Sequence, residues 1–451
     1  MKLDMTLGEL AAATGGRLLK GDPGAPFHSF VTDTRQLKSG EFLWALKGAS
    51  FDAHDFLQHT LAVGPSGWLA RESVLADMKE LPRAAVGVAD TLKALQDLAA
   101  VHRKRFDITL TAITGSNGKS TTKEMLKSIF SAAGLTCSNP GNLNNQFGLP
   151  LSLLELRPEH RYGVFELGAS KKGDIAEIGR VARPTCGIIT NIGPSHLAFF
   201  GDLETVYETK TELAWCLAEG GTLVYNADDR YLERLNARKD LKRLTFGRSE
   251  DADLRILEEV KLRIEYRGEI FSIDLPHACG HNYHNAAAAA AAALSSGLDF
   301  PTIKKGLESF QPPPMRMQQF RVGKALVILD AYNSNPQSAA SALKHVFGLP
   351  RPLYIMMGDM KELGAHSEHY HRDLGAALAH TGAERVFLAG PEMKPAVETY
   401  LAAGGKTAVY GETLDAWLQE ARDLIKTGKG TFLIKASRSM KFERIVEGLL
   451  P

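Results

Sequence analysis

Short apolar runs alternate with amphipathic, helix-forming stretches along most of the chain, and this alternation predicts its secondary structure. The series is clearest between residues 106 and 312. Its predicted strands and helices are, in order, Ile108–Thr114, Ser120–Ala133, Tyr162–Leu167, Cys186–Ile192, Leu203–Ala218 and Thr222–Asn226. Strands that alternate with helices in this way favour a mostly parallel sheet with helices on both faces.

The end of the same region has a different pattern. Leu254–Leu275 favours two strands joined by the turn Arg267-Gly268. The alanine run Ala286–Ala293 predicts a buried helix, because alanine is the best helix former and its small side chain lets other elements approach closely. The prolines at 312–314 cannot continue a helix, so they predict a stiff linker.

The regions on either side of this series also mix strands and helices. Before it, the patterns predict a helix, two short strands and a second helix at Thr6–Ala13, Phe30–Arg35, Gly40–Gly48 and Thr91–Arg105, and the first of these strands enters a polar turn. After the prolines, five βα-like units begin with strands at Ala325–Leu329, Leu353–Met357, Arg385–Leu388, Thr407–Tyr410 and Thr431–Lys435. This last series is typical of a doubly wound domain, although it lacks the GxGxxG turn that marks a dinucleotide binder.

The fold class that follows is α/β with three domains, at residues 1–105, 106–313 and 314–451. We expect a small α/β N-terminal domain, a central parallel sheet with helices on both faces, and a Rossmann-like doubly wound C-terminal domain. A chain of 451 residues is long enough for about three domains of roughly 150 residues each, and its 44% hydrophobic content allows each domain a core.

Charge and cysteine usage narrow the class of protein. The formal net charge of +1 argues against a protein that binds nucleic acid and gives no reason to expect a membrane surface as a partner. The four cysteines, Cys137, Cys186, Cys216 and Cys279, have no CxxC spacing and are typical of buried thiols, not of a disulfide framework or zinc site. Without a signal core or a run of about 18 apolar residues, we expect a cytoplasmic protein with no membrane insertion.

The turn after the strand at 108–114 carries the strongest chemical signal. It consists of Gly115, Ser116, Asn117, Gly118, Lys119, Ser120 and Thr121. Glycines let backbone N–H groups face an anion, the helix N-terminus favours negative charge, and Lys119 and the Ser120 or Thr121 hydroxyl suit phosphates and Mg²⁺. The turn has the shorter GxxGK[ST] form, because Ile113 stands where the general pattern has glycine. The other interpretation is a glycine-rich turn before an ordinary helix.

Three polar residues near the next predicted strand ends are candidates for the same site, since ligands bind at the carboxyl edge of such sheets. Glu166 lies at the end of one strand, and its carboxylate is a hard oxygen ligand suited to Mg²⁺. His196 follows another strand, and Lys210 lies in the next helix. Each has a simpler interpretation: a solvated charge or helix cap, an ordinary loop histidine, and a solvated lysine paired with flanking glutamates.

Taken together, these segments resemble the Mur ligase family of peptidoglycan synthesis. The matching segments, in the family's order, are Thr114–Thr121, Glu166–Ala169, Asn191–His196, Lys210 and Gly280–Ala287. The resemblance implies a central P-loop ATPase-type domain that uses ATP. It also implies that Glu166 and His196 bind Mg²⁺, and that Lys210 is carbamylated by CO₂ so that it can bind a second Mg²⁺.

Further nucleotide contacts carry over by the same resemblance. Asn282 and Asn285 would contact the adenine, and Arg316 would reach the nucleotide from the C-terminal domain. Asp330 is a candidate for the ribose of ATP. The alternatives are capping or turn hydrogen bonds for the two asparagines and a linker charge for Arg316.

The resemblance also implies two further substrates, UDP-N-acetylmuramoyl-tripeptide and D-alanyl-D-alanine. The segments that carry this implication are Thr32–Arg35, Gly40–Gly48, Gly141–Pro150, Asp330–Pro336 and Gly358–Gly364. The candidate substrate contacts are Thr34, Arg35, Asn142, Asn144, Asn145, Asn333 and Asn335. Thr34 and Arg35 would bind the UDP part, and their alternative is an ordinary turn.

The implied reaction joins the dipeptide amine to the tripeptide carboxylate through an acyl phosphate. Its catalytic residues would be Lys119, Glu166, His196 and Lys210. Two alternatives stay open: another ligase of the same superfamily, such as a folylpolyglutamate synthase-like enzyme, and a protein that hydrolyses ATP to move its C-terminal domain. We expect a monomer.

Overall fold

The computed structural model describes residues 3–48, 50–237, 240, 242–258, 261–276 and 280–449. Its strands form sheets of two, four, nine and six strands. The two small sheets lie in what we call the N-terminal unit (3–105), the nine-stranded sheet in the central unit (106–313) and the six-stranded sheet in the C-terminal unit (314–449).

The N-terminal unit is built from short elements. Its strands are β1 (Met5–Thr6), β2 (Arg17–Lys20), β3 (Pro26–Phe27), β4 (Phe42–Trp44), β5 (Gly67–Arg71) and β6 (Ala84–Val88). Its helices are α1 (Leu7–Ala13), α2 (Leu57–Thr60), α3 (Glu72–Ala76) and α4 (Thr91–Arg103). The larger sheet has the order β2-β6-β5-β4, and β1 pairs with β3. The predicted first helix is confirmed, and a capping box between Thr6 and Glu9 explains its start.

One predicted strand of this unit is shorter than expected, and the polar turn predicted at its end is confirmed. In Phe30–Arg35 only Val31 pairs, in an isolated bridge with Leu43, and a turn follows at residues 34–36. The reason is local: the Asp33 carboxylate accepts a hydrogen bond from the Arg35 N–H at 3.0 Å and bends the chain out of an extended conformation. The predicted strand Gly40–Gly48 is confirmed only as the shorter β4.

Helix α4 joins the N-terminal and central units. Its N-terminal end accepts a hydrogen bond from the indole of Trp44 at the Thr91 carbonyl, at 2.9 Å. Its C-terminal end reaches the central unit, where Arg103 Nε donates to the Ala182 carbonyl at 3.1 Å. One cluster of buried apolar side chains runs through both units, from Leu10 through Leu98 to residues of the central helices. The two units therefore share a continuous core.

The central unit contains a largely parallel sheet. Its strands are β7 (Thr109–Thr114), β8 (Thr136–Ser138), β9 (Tyr162–Glu166), β10 (Cys186–Ile189), β11 (Thr222–Asn226), β12 (Lys242–Gly247), β13 (Leu254–Glu258), β14 (Leu262–Tyr266) and β15 (Glu269–Ile273). Its helices are α5 (Lys119–Ala133), α6 (Gly148–Leu153), α7 (Asp174–Ala182), α8 (Leu197–Phe200), α9 (Leu203–Thr211), α10 (Gly280–Ser295) and α11 (Phe300–Glu308). The order is β15-β14-β13-β12-β11-β10-β7-β9-β8. The pairs β13–β14 and β14–β15 are antiparallel, and the other pairs of this sheet are parallel.

The structure corrects two details here. The predicted helix Leu203–Ala218 ends at Thr211 and continues as a 3₁₀ turn, Glu212–Trp215, because the Glu212 carboxylate accepts the Gly173 and Ala176 N–H groups at the start of α7. Leu254–Leu275 contains three strands where two were predicted. The predicted alanine helix is confirmed as part of α10, and its alanines from 286 to 293 are all fully buried.

The C-terminal unit is a second doubly wound sheet. Its strands are β16 (Gln318–Val322), β17 (Lys324–Asp330), β18 (Leu353–Gly358), β19 (Arg385–Ala389), β20 (Ala408–Gly411) and β21 (Lys429–Lys435), and its helices are α12 (Pro336–Val346), α13 (Ser367–Ala379), α14 (Lys394–Ala402) and α15 (Leu418–Thr427). The order is β16-β17-β21-β18-β19-β20. All five predicted strands are confirmed, the antiparallel edge strand β16 was not predicted, and only short 3₁₀ turns follow β21 among the described residues.

Three cysteines behave as predicted. Cys137, Cys186 and Cys216 are free and buried, and burial raises the pKa of each thiol to about 11. Cys279 lies outside the described residues. Within the described ranges, no helix is both long and apolar enough to cross a membrane.

Candidate active site

The turn between β7 and α5 has a backbone that only glycine can supply. Gly115 and Gly118 have φ angles of 136° and 82°, in the region that favours glycine. A Cβ at Gly115 would lie 2.1 Å from Thr190 Oγ1, and one at Gly118 would lie 2.2 Å from Asn285 Oδ1. Both positions therefore need glycine for conformation and for space, which makes this turn more than a generic helix start.

The loop that follows β10 supports this phosphate loop. Ser116 Oγ donates to the Gly193 carbonyl and accepts from the Gly193 N–H, both at 2.9 Å. The Asn117 N–H donates to Asn191 Oδ1 at 3.0 Å, and Thr190 Oγ1 donates to the Asn117 carbonyl at 2.5 Å. These bonds fix the loop from below and leave the N-terminus of α5 facing the cleft, where an anion is favoured.

Lys119 lies at the first position of α5. Its Nζ donates to the Gly115 carbonyl at 2.8 Å and to the Ser116 carbonyl at 3.1 Å, so the ammonium folds back over the loop. Burial lowers the pKa of Lys119, the nearby Glu166 carboxylate opposes that shift, and Arg316 adds to it. A polyphosphate bound above the loop would place further negative charge beside the Lys119 ammonium.

Glu166 ends β9 and is held as a ligand-like carboxylate. It is only 3% exposed, so it is not a solvated charge. Its Oε2 accepts from Ser120 Oγ at 2.6 Å, and its Oε1 accepts from Asn144 Nδ2 at 2.9 Å. Arg316 Nη2 donates to the same Ser120 oxygen at 2.8 Å and therefore reaches the loop from the C-terminal unit. The hydroxyl and carboxylate together are oxygen donors of the kind that Mg²⁺ prefers.

His196 is held from the C-terminal unit. Its backbone is left-handed, with φ of 54°, and its Nδ1 lies 2.5 Å from Glu362 Oε2. The hydrogen bond from His196 lowers the pKa of the Glu362 carboxyl. The Ala198 N–H also donates to the Glu362 carbonyl at 2.9 Å, so this contact joins two loops and not only two side chains.

Lys210 is buried in α9, with 1% of its surface exposed, which excludes the solvated interpretation. Its Nζ lies 5.4 Å from the ring centroid of Phe200. Its neighbours Glu208 and Glu212 are engaged elsewhere, with Lys172 and with the start of α7. Burial, assisted by the Lys119 charge, lowers the pKa of Lys210 to about 7, so much of the amine is neutral at neutral pH.

These side chains do not form a ready metal cluster. Within the ranges that the structure describes, no group of three or more His, Cys, Asp or Glu side chains could hold a metal ion. Ser120 and Glu166 touch each other, whereas His196 is paired with Glu362 and Lys210 is buried behind the cleft wall. The residues fit Mg²⁺ as a partial set of oxygen donors, to be completed by phosphate oxygens and water.

A cleft of about 740 Å³ lies between the central and C-terminal units and collects most of the predicted site. The predicted residues on its wall are Ser116, Asn117, Gly118, Lys119, Ser120, Thr121, Asn144, Asn145, Glu166, His196, Asn282, Asn285, Arg316, Asp330, Asn333 and Asn335. Gly115, the first residue of the loop, is not on the wall. Thr34, Arg35, Asn142 and Lys210 are not on the wall.

The two asparagines of α10 pack beside the phosphate loop. Asn285 Nδ2 donates to Asn282 Oδ1 at 3.1 Å, and Thr122 Oγ1 donates to Asn285 Oδ1 at 3.3 Å. Across the cleft, the Arg316 guanidinium lies 4.1 Å from the ring centroid of Tyr332. Arg316 therefore has two partners, one in each unit, and is not a free linker charge.

Two predicted substrate residues lie away from this cleft, in the N-terminal unit. Arg35 pairs with Asp33, with its Nη2 2.8 Å from Asp33 Oδ2, and its side chain is 84% exposed. The hydrogen bond from Arg35 lowers the pKa of Asp33 to about 2. Thr34 lies in the same exposed turn, so the contacts of this segment leave both the turn interpretation and the UDP prediction open.

Asn139 is a site residue that the sequence patterns missed. It is fully buried, its Oδ1 accepts the Glu166 N–H at 2.9 Å, and its Nδ2 donates to the Glu166 carbonyl at 3.0 Å. The buried ammonium of Lys123 donates to the Asn139 carbonyl at 2.7 Å. Asn139 therefore positions the Glu166 backbone. It follows the short strand Thr136–Ser138, whose mixed polarity gave no signal in the sequence.

Comparisons with known proteins agree with this geometry. The model of the Mur ligase middle domain matches residues 113–293, and that of the Mur ligase, glutamate ligase domain matches residues 315–438. The UDP-N-acetylmuramoyl-tripeptide–D-alanyl-D-alanine ligase of Escherichia coli (strain K12) is 33% identical, over 99% of this chain and 98% of that protein. The enzyme of that name from Bacillus subtilis (strain 168) is 31% identical, over 94% of this chain and 93% of that protein.

Solved structures give the same result over the whole fold. A crystal structure of MurF from Acinetobacter baumannii superposes with a TM-score of 0.91 at 32% identity and covers 99% of both chains. MurF of Thermotoga maritima in complex with ADP gives a TM-score of 0.82 at 28% identity, over 93% of this chain and 96% of that one. The chain belongs to the Mur ligase family, on the branch of the UDP-N-acetylmuramoyl-tripeptide–D-alanyl-D-alanine ligases.

Proposed function

We propose that this chain is an ATP-dependent ligase that joins D-alanyl-D-alanine to the terminal carboxylate of UDP-N-acetylmuramoyl-tripeptide. The observation that carries the proposal is the position of the phosphate loop. Its open N–H groups and Lys119 face a cleft whose opposite wall brings Arg316 and Asp330 from the C-terminal unit. A site that needs both units suits a reaction in which a phosphoryl group and a second substrate must meet.

Each unit then has one substrate. The domain at residues 1–105 binds the UDP part through Thr34 and Arg35, the domain at 106–313 binds ATP, and the domain at 314–451 receives the dipeptide. Asn333 and Asn335 are the dipeptide candidates, and Asn142, Asn144 and Asn145 are the candidates for the tripeptide end. Asn144 and Asn145 line the cleft, which supports their assignment to the reacting end of the substrate.

The chemistry proceeds in two transfers. The tripeptide carboxylate oxygen attacks the γ-phosphorus of ATP, the bond to the β-phosphate oxygen breaks, and ADP leaves. The dipeptide amine then attacks the acyl carbon, the tetrahedral intermediate loses phosphate, and the nitrogen loses a proton. Lys119 and the loop N–H groups oppose the crowding of anions, which is usually the largest catalytic contribution. Asn144 and Ser120 hold the Glu166 carboxylate in place during both transfers.

Mg²⁺ bound beside Ser120 and Glu166 would neutralise phosphate charge. We further propose that Lys210 is carbamylated. A pKa of about 7 supports this, because only the neutral amine reacts with CO₂, and the product replaces a cation beside Lys119 with an anion. Lys210→Ala is expected to lose about a hundred-fold in turnover, with partial recovery in millimolar acetate. Full activity without acetate would exclude the carbamate.

The direct test measures phosphate release from ATP. With UDP-N-acetylmuramoyl-tripeptide present, release should depend on added D-alanyl-D-alanine and be matched by pentapeptide product. Glutamate in place of the dipeptide serves as the matched control for a folylpolyglutamate synthase-like acceptor. Release that ignores every amine would falsify the ligase and leave an ATP-driven switch.

A further inference from the structure

One side chain of the C-terminal unit reaches directly to the tip of the phosphate loop. Gln337 is the second residue of α12, and its Oε1 accepts a hydrogen bond from Asn117 Nδ2 at 2.7 Å. These two residues are 220 positions apart in the chain. The contact is therefore a direct polar link between the element that would bind triphosphate and the unit that would bring the amine.

The orientation of this link is fixed by a chain of amides. Asn335 caps α12, and its Oδ1 accepts the Ser338 N–H at 2.9 Å. Because the Asn335 Oδ1 atom faces its own helix, the Nδ2 group of the same amide faces the phosphate loop. It donates to Asn117 Oδ1 at 2.7 Å. The Asn117 amide is thereby oriented with its Nδ2 towards Gln337, which has to supply an acceptor.

Gln337 also contacts the loop that supports the phosphate loop. A Cβ at Gly193 would lie 2.3 Å from Gln337 Oε1, so the carboxamide rests against the Gly193 backbone. Gly193 is the residue that exchanges two hydrogen bonds with Ser116. The exposed carboxamide of Gln337 thus contacts both the phosphate loop and the loop that ends in His196.

We propose that Gln337 is a positioning residue that couples docking of the C-terminal unit to the conformation of the phosphate loop. The inference rests on the proposed function only for its kinetic consequence. We call the three side chains Asn335, Asn117 and Gln337 the amide clamp. Because the clamp joins side chains of the two units, it stabilises the arrangement in which they are in contact, which we call closed. Any ligand that favours this closure gains affinity from the clamp by linkage.

The consequence is specific. The clamp uses the side-chain amide of Asn117, whose backbone is held by the β10 loop, and does not occupy the N–H groups at the start of α5. Loss of the Gln337 acceptor should weaken closure without removing a phosphate contact. A single hydrogen bond of this kind corresponds to about a five-fold change in the closure equilibrium.

The test uses the full chain and the variant Gln337→Met, which keeps the length of the side chain and removes the acceptor. Gln419→Met is the matched control, because Gln419 is also the second residue of its helix in the same unit and is exposed, with its hydrogen bond to Asp423. Small-angle scattering during titration with a non-hydrolysable ATP analogue measures compaction. For Gln337→Met, we expect that about five-fold more analogue is required to reach the compact state, or that the protein is less compact at every analogue concentration. The titration of Gln419→Met should match that of the wild type.

A double-mutant cycle with Asn117→Ala identifies the partner. If the clamp exists, Gln337→Met adds no further shift once Asn117 is truncated. Independent, additive shifts in the two variants, or a Gln337→Met titration that overlays the wild type, would overturn the proposal. These measurements need no ligase activity, so they stand even if phosphate release proves to be independent of the dipeptide.

Kinetics provide the readout that general damage would not reproduce. In an active ligase, Gln337→Met should raise KM for the dipeptide about five-fold and leave kcat nearly unchanged, because saturating substrate restores closure. A fall in kcat with unchanged KM would indicate loss of active protein and would count against a positioning role.

Discussion

The central and C-terminal units each place the edge of a parallel sheet at one cleft, but the residues at the two edges differ. Both sheets are doubly wound, and in both the carboxyl ends of parallel strands face the cleft. At the central edge, Gly115 and Gly118 shape a turn that places the N-terminus of α5 at the cleft. At the C-terminal edge, charged side chains pair with one another, as Lys435 Nζ lies 2.6 Å from Asp330 Oδ2.

A second ion cluster at the C-terminal edge makes the contrast clearer. Lys361 Nζ donates to Asp359 Oδ2 at 2.7 Å and to Glu392 Oε1 at 2.9 Å. Gly390 has a φ of 116°, and a Cβ there would lie 2.2 Å from the Asp359 carboxylate. In the central unit a left-handed glycine shapes a turn that leaves room for a ligand, whereas here it makes room for a carboxylate of the same chain.

The comparison shows that the fold determines where a site can be and the side chains determine whether it is filled. The same edge becomes a phosphate site when the N-terminus of a helix faces the cleft, and a structural support when charged side chains of the chain pair with one another. Removal of a lysine should therefore lower turnover at the central edge and stability at the C-terminal edge.

The largest expected effect is at the central edge. Lys119→Ala should lower kcat by about a thousand-fold, because it removes the cation that faces the transferred phosphate, and should leave the unfolding transition close to that of the wild type. Phosphate release and circular dichroism measure the two properties. Lys127→Ala, on the exposed side of the same helix, is the control. If the turnover of Lys119→Ala lay within ten-fold of that of Lys127→Ala, the assignment of a catalytic cation to the central edge would be contradicted.

The C-terminal edge should respond in stability. Lys361→Met leaves the fully buried Asp359 without its cation, and we expect a loss of about 2 kcal/mol in the free energy of unfolding. Lys406→Met removes an exposed pair with Glu384 and should cost much less. Denaturant titration measures both. Equal losses in the two variants would contradict a structural role for the Asp359 cluster.

The pH dependence of that loss has a definite sign. Burial already raises the pKa of Asp359, and Lys361 opposes the shift. Without Lys361 the pKa rises further, so as the pH falls the folded state takes up a proton before the unfolded state does. The deficit of Lys361→Met should therefore be largest at neutral pH and shrink on acidification. A deficit that grows towards acidic pH would assign it to another group.

Local patterns were enough to predict the elements that the two edges depend on. The five parallel strands of the C-terminal unit and the strand, turn and helix around residues 108–133 are confirmed, because apolar runs bounded by glycine or polar turns decide them locally. β16 was missed because Gln318–Val322 contains polar residues on both faces. At Phe30–Arg35 the predicted turn is present, but the strand before it is reduced to one bridge, because Asp33 accepts hydrogen bonds from Arg35 that bend the chain.

The contacts that organise the site were beyond such patterns. Lys210 lies between two glutamates, which suggested a solvated face, yet both glutamates bind elsewhere and the lysine is buried. Asn139 and Gln337 carry no motif, and their partners lie 27 and 220 residues away. Contacts at such separations depend on how sheets and loops meet in space, so no local property of these residues indicates them.

The smallest expected effect measures the open N–H groups at the central edge without chemistry. Inorganic triphosphate at about ten times its Kd should stabilise the wild type by about 1.4 kcal/mol, a rise in Tm of roughly 2 °C, because it binds only the folded loop. Lys361→Met should keep this increment from its lower starting point, and Lys119→Ala should lose most of it. Sodium chloride at equal ionic strength separates specific binding from screening. If Lys361→Met abolished the increment and Lys119→Ala kept it, the anion would bind at the C-terminal edge, and the assignment of the two edges would have to be reversed.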